Sequence, residues 1–267
     1  MKEFKVAVYQ MEISPAKKEE NLRKVKEKFA ELNNSEIDLV VLPELFSTGF
    51  AYSHFSGLAE EIESSATLNF LSKISEEYNC SIASSILIRN TKKETYKNVG
   101  FILHPNKGII YTYEKIHLWG NEKDYFQAGM DISEPVSIDG KAMVGLSICY
   151  DMRFPEVAKS MVIKGAEILI TVAAWPSARL HHFNLLAAAR ALENTSYHIA
   201  VNRMGVDVEP KVISYKGSSR IIDPLGNIIA GAGNHEQLIT ASLRPEVLEY
   251  ARTTIPVIKD RRINTLQ

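Results

Sequence analysis

Asp38-Leu-Val-Val-Leu42 is an unbroken apolar run closed by Pro43, the pattern of a strand with no face left to water. Such a strand sits inside a sheet that is covered on both sides. Residues 5–9, 81–88, 99–103, 144–148, 167–172 and 198–201 read as further strands. Between them, Leu22, Val25, Phe29 and Leu32 repeat at helical spacing, as do Leu68, Leu71, Ile74 and Tyr78, and helical patterns recur over residues 155–164 and 183–194. Ser14 with Pro15 reads as the start of the first helix. Its outer face carries Glu19/Arg23 and Glu20/Lys24 one turn apart, which is a solvated surface. Strands alternating with amphipathic helices give an α/β fold class.

Phe101-Ile-Leu-His-Pro-Asn-Lys-Gly-Ile-Ile110 is echoed by Ile221-Ile-Asp-Pro-Leu-Gly-Asn-Ile-Ile229. Each is an apolar run, a Pro-and-Gly turn and a second apolar run, so an antiparallel hairpin is predicted in each half of the sequence. No Pro/Ser-rich linker separates the halves, and 267 residues at 45 % apolar content form one core, so residues 1–267 are expected to be a single domain.

Charge and cysteine usage exclude several function classes. With 31 Lys+Arg against 32 Asp+Glu the net charge is −1, so no field draws in nucleic acid or an anionic membrane. The two cysteines, Cys80 and Cys149, form no C-x-x-C motif, which argues against a disulfide framework or a thiolate zinc site and for a reducing compartment. The first residues lack a continuous apolar stretch, and no segment approaches the ~18 apolar residues of a membrane span. A cytoplasmic soluble protein is expected. Gly231-Ala-Gly233 lacks the third glycine of a dinucleotide fingerprint, and Gly140-Lys141 lacks the rest of a phosphate loop. His181-His182 are adjacent rather than one turn apart, unlike a zinc protease pair. Gly145-Leu-Ser147-Ile-Cys149 approaches a serine elbow but closes on cysteine.

That cysteine ends an apolar strand and precedes the abruptly polar Tyr150-Asp-Met-Arg-Phe-Pro155, at the kind of strand end where α/β sites form. A lone buried cysteine is ordinarily a small hydrophobe. A nearby helix N-terminus and a lysine would instead favour its thiolate. Glu44 and Lys115 also follow strand-like runs, and each taken alone is more readily an exposed loop carboxylate or a surface lysine than a catalytic group.

Three blocks resolve the choice. Leu42-Pro-Glu44-Leu-Phe-Ser-Thr-Gly49, Tyr113-Glu-Lys115-Ile-His-Leu118 and Leu146-Ser-Ile-Cys149-Tyr-Asp-Met-Arg-Phe-Pro155 resemble, in order and spacing, the signature blocks of the nitrilase superfamily of carbon–nitrogen hydrolases. The resemblance extends through Asp223-Pro-Leu-Gly-Asn227 to Lys259-Asp-Arg-Arg262. It implies a four-layer αββα sandwich with mixed sheets, a homodimer or larger homo-oligomer, and a Glu-Lys-Cys triad that needs no metal or organic cofactor. Carried over by position, Cys149 is the nucleophile, Glu44 the general base and Lys115 the oxyanion cation, assisted by the Tyr150 backbone N–H. Glu122, seven residues beyond Lys115, matches a second glutamate that positions substrate.

Cys149-Tyr-Asp-Met-Arg-Phe-Pro155 and Ala174-Trp-Pro-Ser-Ala-Arg179 look most like the ω-amidase branch, which acts on small amides that also carry a carboxylate, such as α-ketoglutaramate or succinamate. Arg179 is the candidate carboxylate cation, with a structural ion pair as its alternative and Arg153 as competitor. Phe50 and Trp175 are candidate pocket walls. The alternatives are a deaminated-glutathione amidase, an N-carbamoyl hydrolase and a non-catalytic binding module.

Overall fold

The computed structural model describes residues 1–32, 35–91 and 95–262. The first sheet is built from β1 (Phe4–Gln10), β2 (Leu39–Val41), β3 (Ser81–Asn90), β4 (Thr95–His104) and β5 (Gly108–Glu114). The second holds β6 (Val136–Ile138), β7 (Ala142–Ile148), β8 (Ile168–Ala173) and β9 (Tyr197–Asn202). A separate two-stranded ribbon, β10 (Met204–Asp207) and β11 (Ile213–Lys216), comes next. The polypeptide then adds β12 (Arg220–Ile222) and β13 (Ile228–Gly231) to the second sheet and β14 (Gln237–Leu243) to the first. Seven helices are described alongside them: α1 (Lys18–Phe29), α2 (Phe55–Leu58), α3 (Ala66–Tyr78), α4 (Glu122–Tyr125), α5 (Pro155–Ile163), α6 (Leu180–Leu192) and α7 (Pro245–Thr254).

Strand alternation dictates the layers. In β1, Phe4, Val6 and Val8 point between the two sheets, while Ala7 and Tyr9 point to the opposite face, where Val25 and Phe29 of α1 and Leu68, Leu71 and Ile74 of α3 lie. β2 repeats this, with Leu39 and Val41 inward and Val40 outward. Across the central layer stand Leu146, Ile148, Ile170, Val172, Ile199 and Val201 of the second sheet. Val157 and Met161 of α5 and Phe183, Ala187 and Ala191 of α6 cover that sheet's far side. The result is the expected αββα sandwich.

The two sheets share one topology. The order β14-β1-β2-β3-β4-β5 has a parallel core, β1–β3, with an antiparallel strand on one side and an antiparallel hairpin on the other. The order β6-β7-β8-β9-β12-β13 has the same pattern around β7–β9. The echoed segments, 101–110 and 221–229, are the turns of the two corresponding hairpins.

Two local expectations shift. The first helix begins at Lys18 rather than beside Pro15, because Ala16 is left-handed (φ 59°) and Asn21 reaches back to bond both the N–H and the C=O of Ser14 at 2.9 and 2.8 Å. The same Asn21 amide donates to Ser47 O at 3.0 Å, which ties α1 to the segment after Glu44. On the outer face Arg23 pairs with Glu27 at 2.7 Å instead of Glu19. Among the described residues no helix is long and apolar enough to cross a membrane.

α5 approaches β7 closely at Gly145, where a Cβ would stand 2.8 Å from Met161 Sδ and 3.3 Å from its Cβ. Gly145→Val therefore forces the Met161 side chain out of its place between helix and sheet, and a loss of about 1–3 kcal/mol is expected, read as a lower urea midpoint with an unchanged slope.

Candidate active site

The strand ends deliver the chemistry. Glu44 follows β2 and Cys149 follows β7; the backbone turns sharply at Leu45 (φ 47°) and at Cys149 itself (φ 49°), both left-handed. That conformation costs a residue with a Cβ roughly 1–2 kcal/mol, so other bonds hold each turn. Ser85 Oγ accepts the Leu45 N–H at 3.0 Å and Ser84 Oγ donates to Pro43 O at 2.7 Å. The buried carboxylate of Asp151 accepts the Ile148 N–H at 3.2 Å and the Tyr113 hydroxyl at 2.9 Å. It also accepts the His117 N–H at 2.9 Å and lies 2.8 Å from His117 Nδ1. Tyr113 and His117 flank Lys115, so Asp151 fastens the lysine segment to the cysteine turn.

Lys115 Nζ lies 2.7 Å from Glu44 Oε1 and 2.8 Å from a Glu122 carboxylate oxygen. Glu44, Lys115 and Glu122 are 0 %, 1 % and 3 % exposed, so this is one cation shared by two carboxylates away from water. Asn98 Nδ2 donates to Glu44 Oε1 and the Ala174 N–H to Glu44 Oε2, both at 2.8 Å; the Trp119 N–H donates to Glu122 Oε2 at 3.3 Å. Burial opposes the Lys115 charge, but the charges of Glu122 and Glu44 outweigh it and hold the ammonium well above its ordinary range. Burial, with the charge of Glu44 added, pushes Glu122 up to about 7 against the pull of Lys115. Burial and then Glu44 also push the Cys149 thiol well up, against Lys115 and the Ala174 N–H. Burial thus works against the thiolate that a nearby lysine was expected to favour, while Lys115 works for it.

Cys149 opens into a small pocket lined by Trp119, Tyr150, Arg153, Trp175, Pro176 and Arg179. Trp119 also lines a second cleft, together with Phe50, Tyr52, Glu122, Ala174, Tyr215 and the β10–β11 ribbon, among others. Phe50 faces the cation, its ring 5.9 Å from Lys115 Nζ. The Arg153 guanidinium lies 4.8 Å over the Trp175 ring and donates to His182 Nδ1 at 3.0 Å; that of Arg179 lies 5.7 Å over Trp119. Arg190 and Arg203 meet carboxylates at 2.7 Å, whereas among the described residues Arg153 and Arg179 meet none within 4.0 Å. The alternative of a structural ion pair for Arg179 is thus not found among the described residues.

The residues singled out from the sequence, Glu44, Phe50, Lys115, Glu122, Cys149, Tyr150, Arg153, Trp175 and Arg179, line or adjoin these two spaces. Asn98, Trp119 and His182 were not assigned to the site from the sequence; Asp151 and Ala174 lay in the quoted blocks but were given no role there. Ser147 is absent from it, since its hydroxyl turns away to Ile170 O and Thr171 Oγ1 at 3.3 and 3.1 Å.

The family model for carbon-nitrogen hydrolases matches residues 5–253. The chain belongs to the carbon-nitrogen hydrolase family. This hydrolase is 35 % identical over 260 residues to the 2-oxoglutaramate amidase of Bacillus subtilis, covering 96 % of the present protein and 97 % of that one. It is 33 % identical over 240 residues to the deaminated glutathione amidase of Escherichia coli, covering 87 % and 88 %. The crystal structure of Saccharomyces cerevisiae Nit3, described as a member of branch 10 of the nitrilase superfamily, superposes with a TM-score of 0.87 at 30 % identity, covering 98 % and 97 %. The present hydrolase is accordingly an amidohydrolase of that superfamily.

Because Glu122 binds its proton more tightly when folded (about 7) than at the ordinary 4.5, the folded state holds more protons between those values. Its contribution to stability is present below pH 4.5 and is lost as pH rises through about 7. Urea unfolding across this range should show wild-type stability falling relative to Glu122→Gln, whose own curve lacks that step.

Proposed function

We propose that this hydrolase is a thiol amidase that releases ammonia from the terminal amide of small carboxylate-bearing amides such as α-ketoglutaramate or succinamate. The observation that carries the reading is the buried Glu44–Lys115 pair with Cys149 at the wall of a small pocket holding two guanidinium groups that meet no carboxylate among the described residues.

The chemistry follows from the partners of each group. Cys149 keeps its proton until substrate arrives; as sulfur attacks the amide carbon, Glu44 takes that proton at Oε2, the oxygen left with the Ala174 N–H as its one partner among the described residues. The developing oxyanion is held by the Lys115 ammonium and the Tyr150 backbone N–H. Glu44 returns the proton to the leaving nitrogen, the C–N bond breaks and ammonia departs, leaving a thioester. A water then loses a proton to Glu44 and attacks the thioester carbon; the acid leaves and the proton returns to sulfur. Glu122, by pairing with Lys115, orients the ammonium and presents a second carboxyl to the amide. Arg153 and Arg179 hold the substrate carboxylate, and Trp119, Tyr150 and Trp175 wall its hydrocarbon part.

A second reading, a deaminated-glutathione amidase, is favoured by the second cleft lined by Trp119, which offers room for a longer acyl or amine part, and by the similarity to the Escherichia coli protein. Turnover of that longer amide with none of α-ketoglutaramate or succinamate would select it. Carbon dioxide released with the ammonia would instead mark a carbamoyl substrate.

Cys149→Ala, Glu44→Gln and Lys115→Ala should each cut ammonia release by at least about a hundredfold, with circular dichroism unchanged. Undiminished turnover in any one of the folded variants removes that residue from the mechanism. Arg153→Met and Arg179→Met should raise KM for succinamate by roughly tenfold to a hundredfold, the value of a charge-assisted hydrogen bond. Neutral butyramide should be unaffected by either change.

A further inference from the structure

Asn98 touches both charged partners of the site and belongs to no motif read from the sequence. Its backbone C=O accepts the Lys115 N–H at 3.0 Å, and its amide Nδ2 donates to Glu44 Oε1 at 2.8 Å. Asn98 is 1 % exposed, and its Oδ1 is a buried acceptor with no partner among the described residues. A buried amide oxygen left unpaired is costly. The opposite amide orientation would set Oδ1 against the Glu44 carboxylate, acceptor to acceptor, so the orientation with an orphaned oxygen is the one that the anion enforces.

The consequence lies in how the two oxygens of Glu44 differ. Oε1 is saturated by Lys115 Nζ and Asn98 Nδ2; among the described residues Oε2 has only the Ala174 N–H. We propose that Asn98 is a positioning residue that reserves Oε2 of Glu44 as the one oxygen that exchanges protons with Cys149 and with substrate. With Oε1 occupied by two donors, a proton arriving at Glu44 has one open lone-pair region, on Oε2. The Asn98 amide donates to Oε1 whether Glu44 is ionised or protonated at Oε2, so the carboxyl keeps one orientation through the cycle. The anchoring of the Lys115 backbone by the same residue fixes the distance between base and cation. This proposal rests on Glu44 acting as the base, as set out above.

The test uses Asn98→Ala and the isosteric Asn98→Asp on the amide that the wild type turns over best. An anion deprived of a donor holds its proton more tightly, so the acid limb of the kcat/KM profile should move up by about one pH unit in Asn98→Ala. kcat should fall roughly tenfold to a hundredfold, the value of a hydrogen bond to a charged group, with KM within about twofold of wild type. Asn98→Asp, which keeps the shape but sets a carboxylate against Oε1, should show the larger displacement of the limb. An unmoved acid limb in both variants overturns the proposal, even where kcat or melting temperature falls, since lost packing alone leaves that limb in place. The pH dependence of Cys149 alkylation by iodoacetamide in a Cys80→Ser background gives the same comparison without any substrate, and a profile unchanged by Asn98→Ala overturns it equally. Full turnover by Glu44→Gln would remove the underlying assignment of the base instead, a result distinct from either outcome at Asn98.

Discussion

A single buried ammonium, Lys115, holds two carboxylates that have no other cation among the described residues. Such a cluster is not a stabilising device in itself, because stripping water from three charged groups costs several kcal/mol per ion before any attraction is counted. It survives because the remaining lone pairs are taken up, by Asn98 and the Ala174 N–H at Glu44 and by the Trp119 N–H at Glu122. These donors come from β4, from the segment after β8 and from the loop before α4. The charge cluster therefore demands both sheets face to face, and the apolar layer between them is what holds that arrangement.

The repeated topology divides the labour. The first half of the sequence supplies Glu44, Asn98, Lys115 and Glu122, the charged set; the second supplies Cys149, the Ala174 N–H and the two guanidinium groups of the pocket. Asp151 joins them, binding Tyr113 and His117 from one half with a carboxylate placed two residues after the thiol. The corresponding hairpins differ in their continuation. β5 runs directly into Lys115, whereas the polypeptide beyond β13 returns to the first sheet as β14.

The fold was legible where one residue's neighbours in sequence decide its environment. Continuous apolar runs gave β2, β7, β8 and β9, threefold and fourfold spacing gave α1 and α3, and Pro/Gly turns gave both hairpins. The triad was legible only through the resemblance of whole blocks, since Glu44, Lys115 and Cys149 taken singly have ordinary explanations. Asn98 was hidden because its role comes from the register that places it beside Lys115 across β4 and β5, and the Ala174 N–H because a backbone donor has no residue type. The state of the thiol was not legible for a related reason: sequence names Glu44, Lys115 and Glu122 as companions of Cys149, but not how deeply they are buried.

The first sheet is sealed by a strand distant in sequence, with Phe4 opposite Leu243 in the β1–β14 pairing. During synthesis β1 emerges long before its partner, and its outer edge of unpaired N–H and C=O groups stays open until residues 237–243 have been made. A nascent polypeptide still on the ribosome can already contain every charged group of the site, yet the sheet that carries Glu44 and Lys115 is finished last. Closure of so long a loop thus sets when that sheet becomes complete.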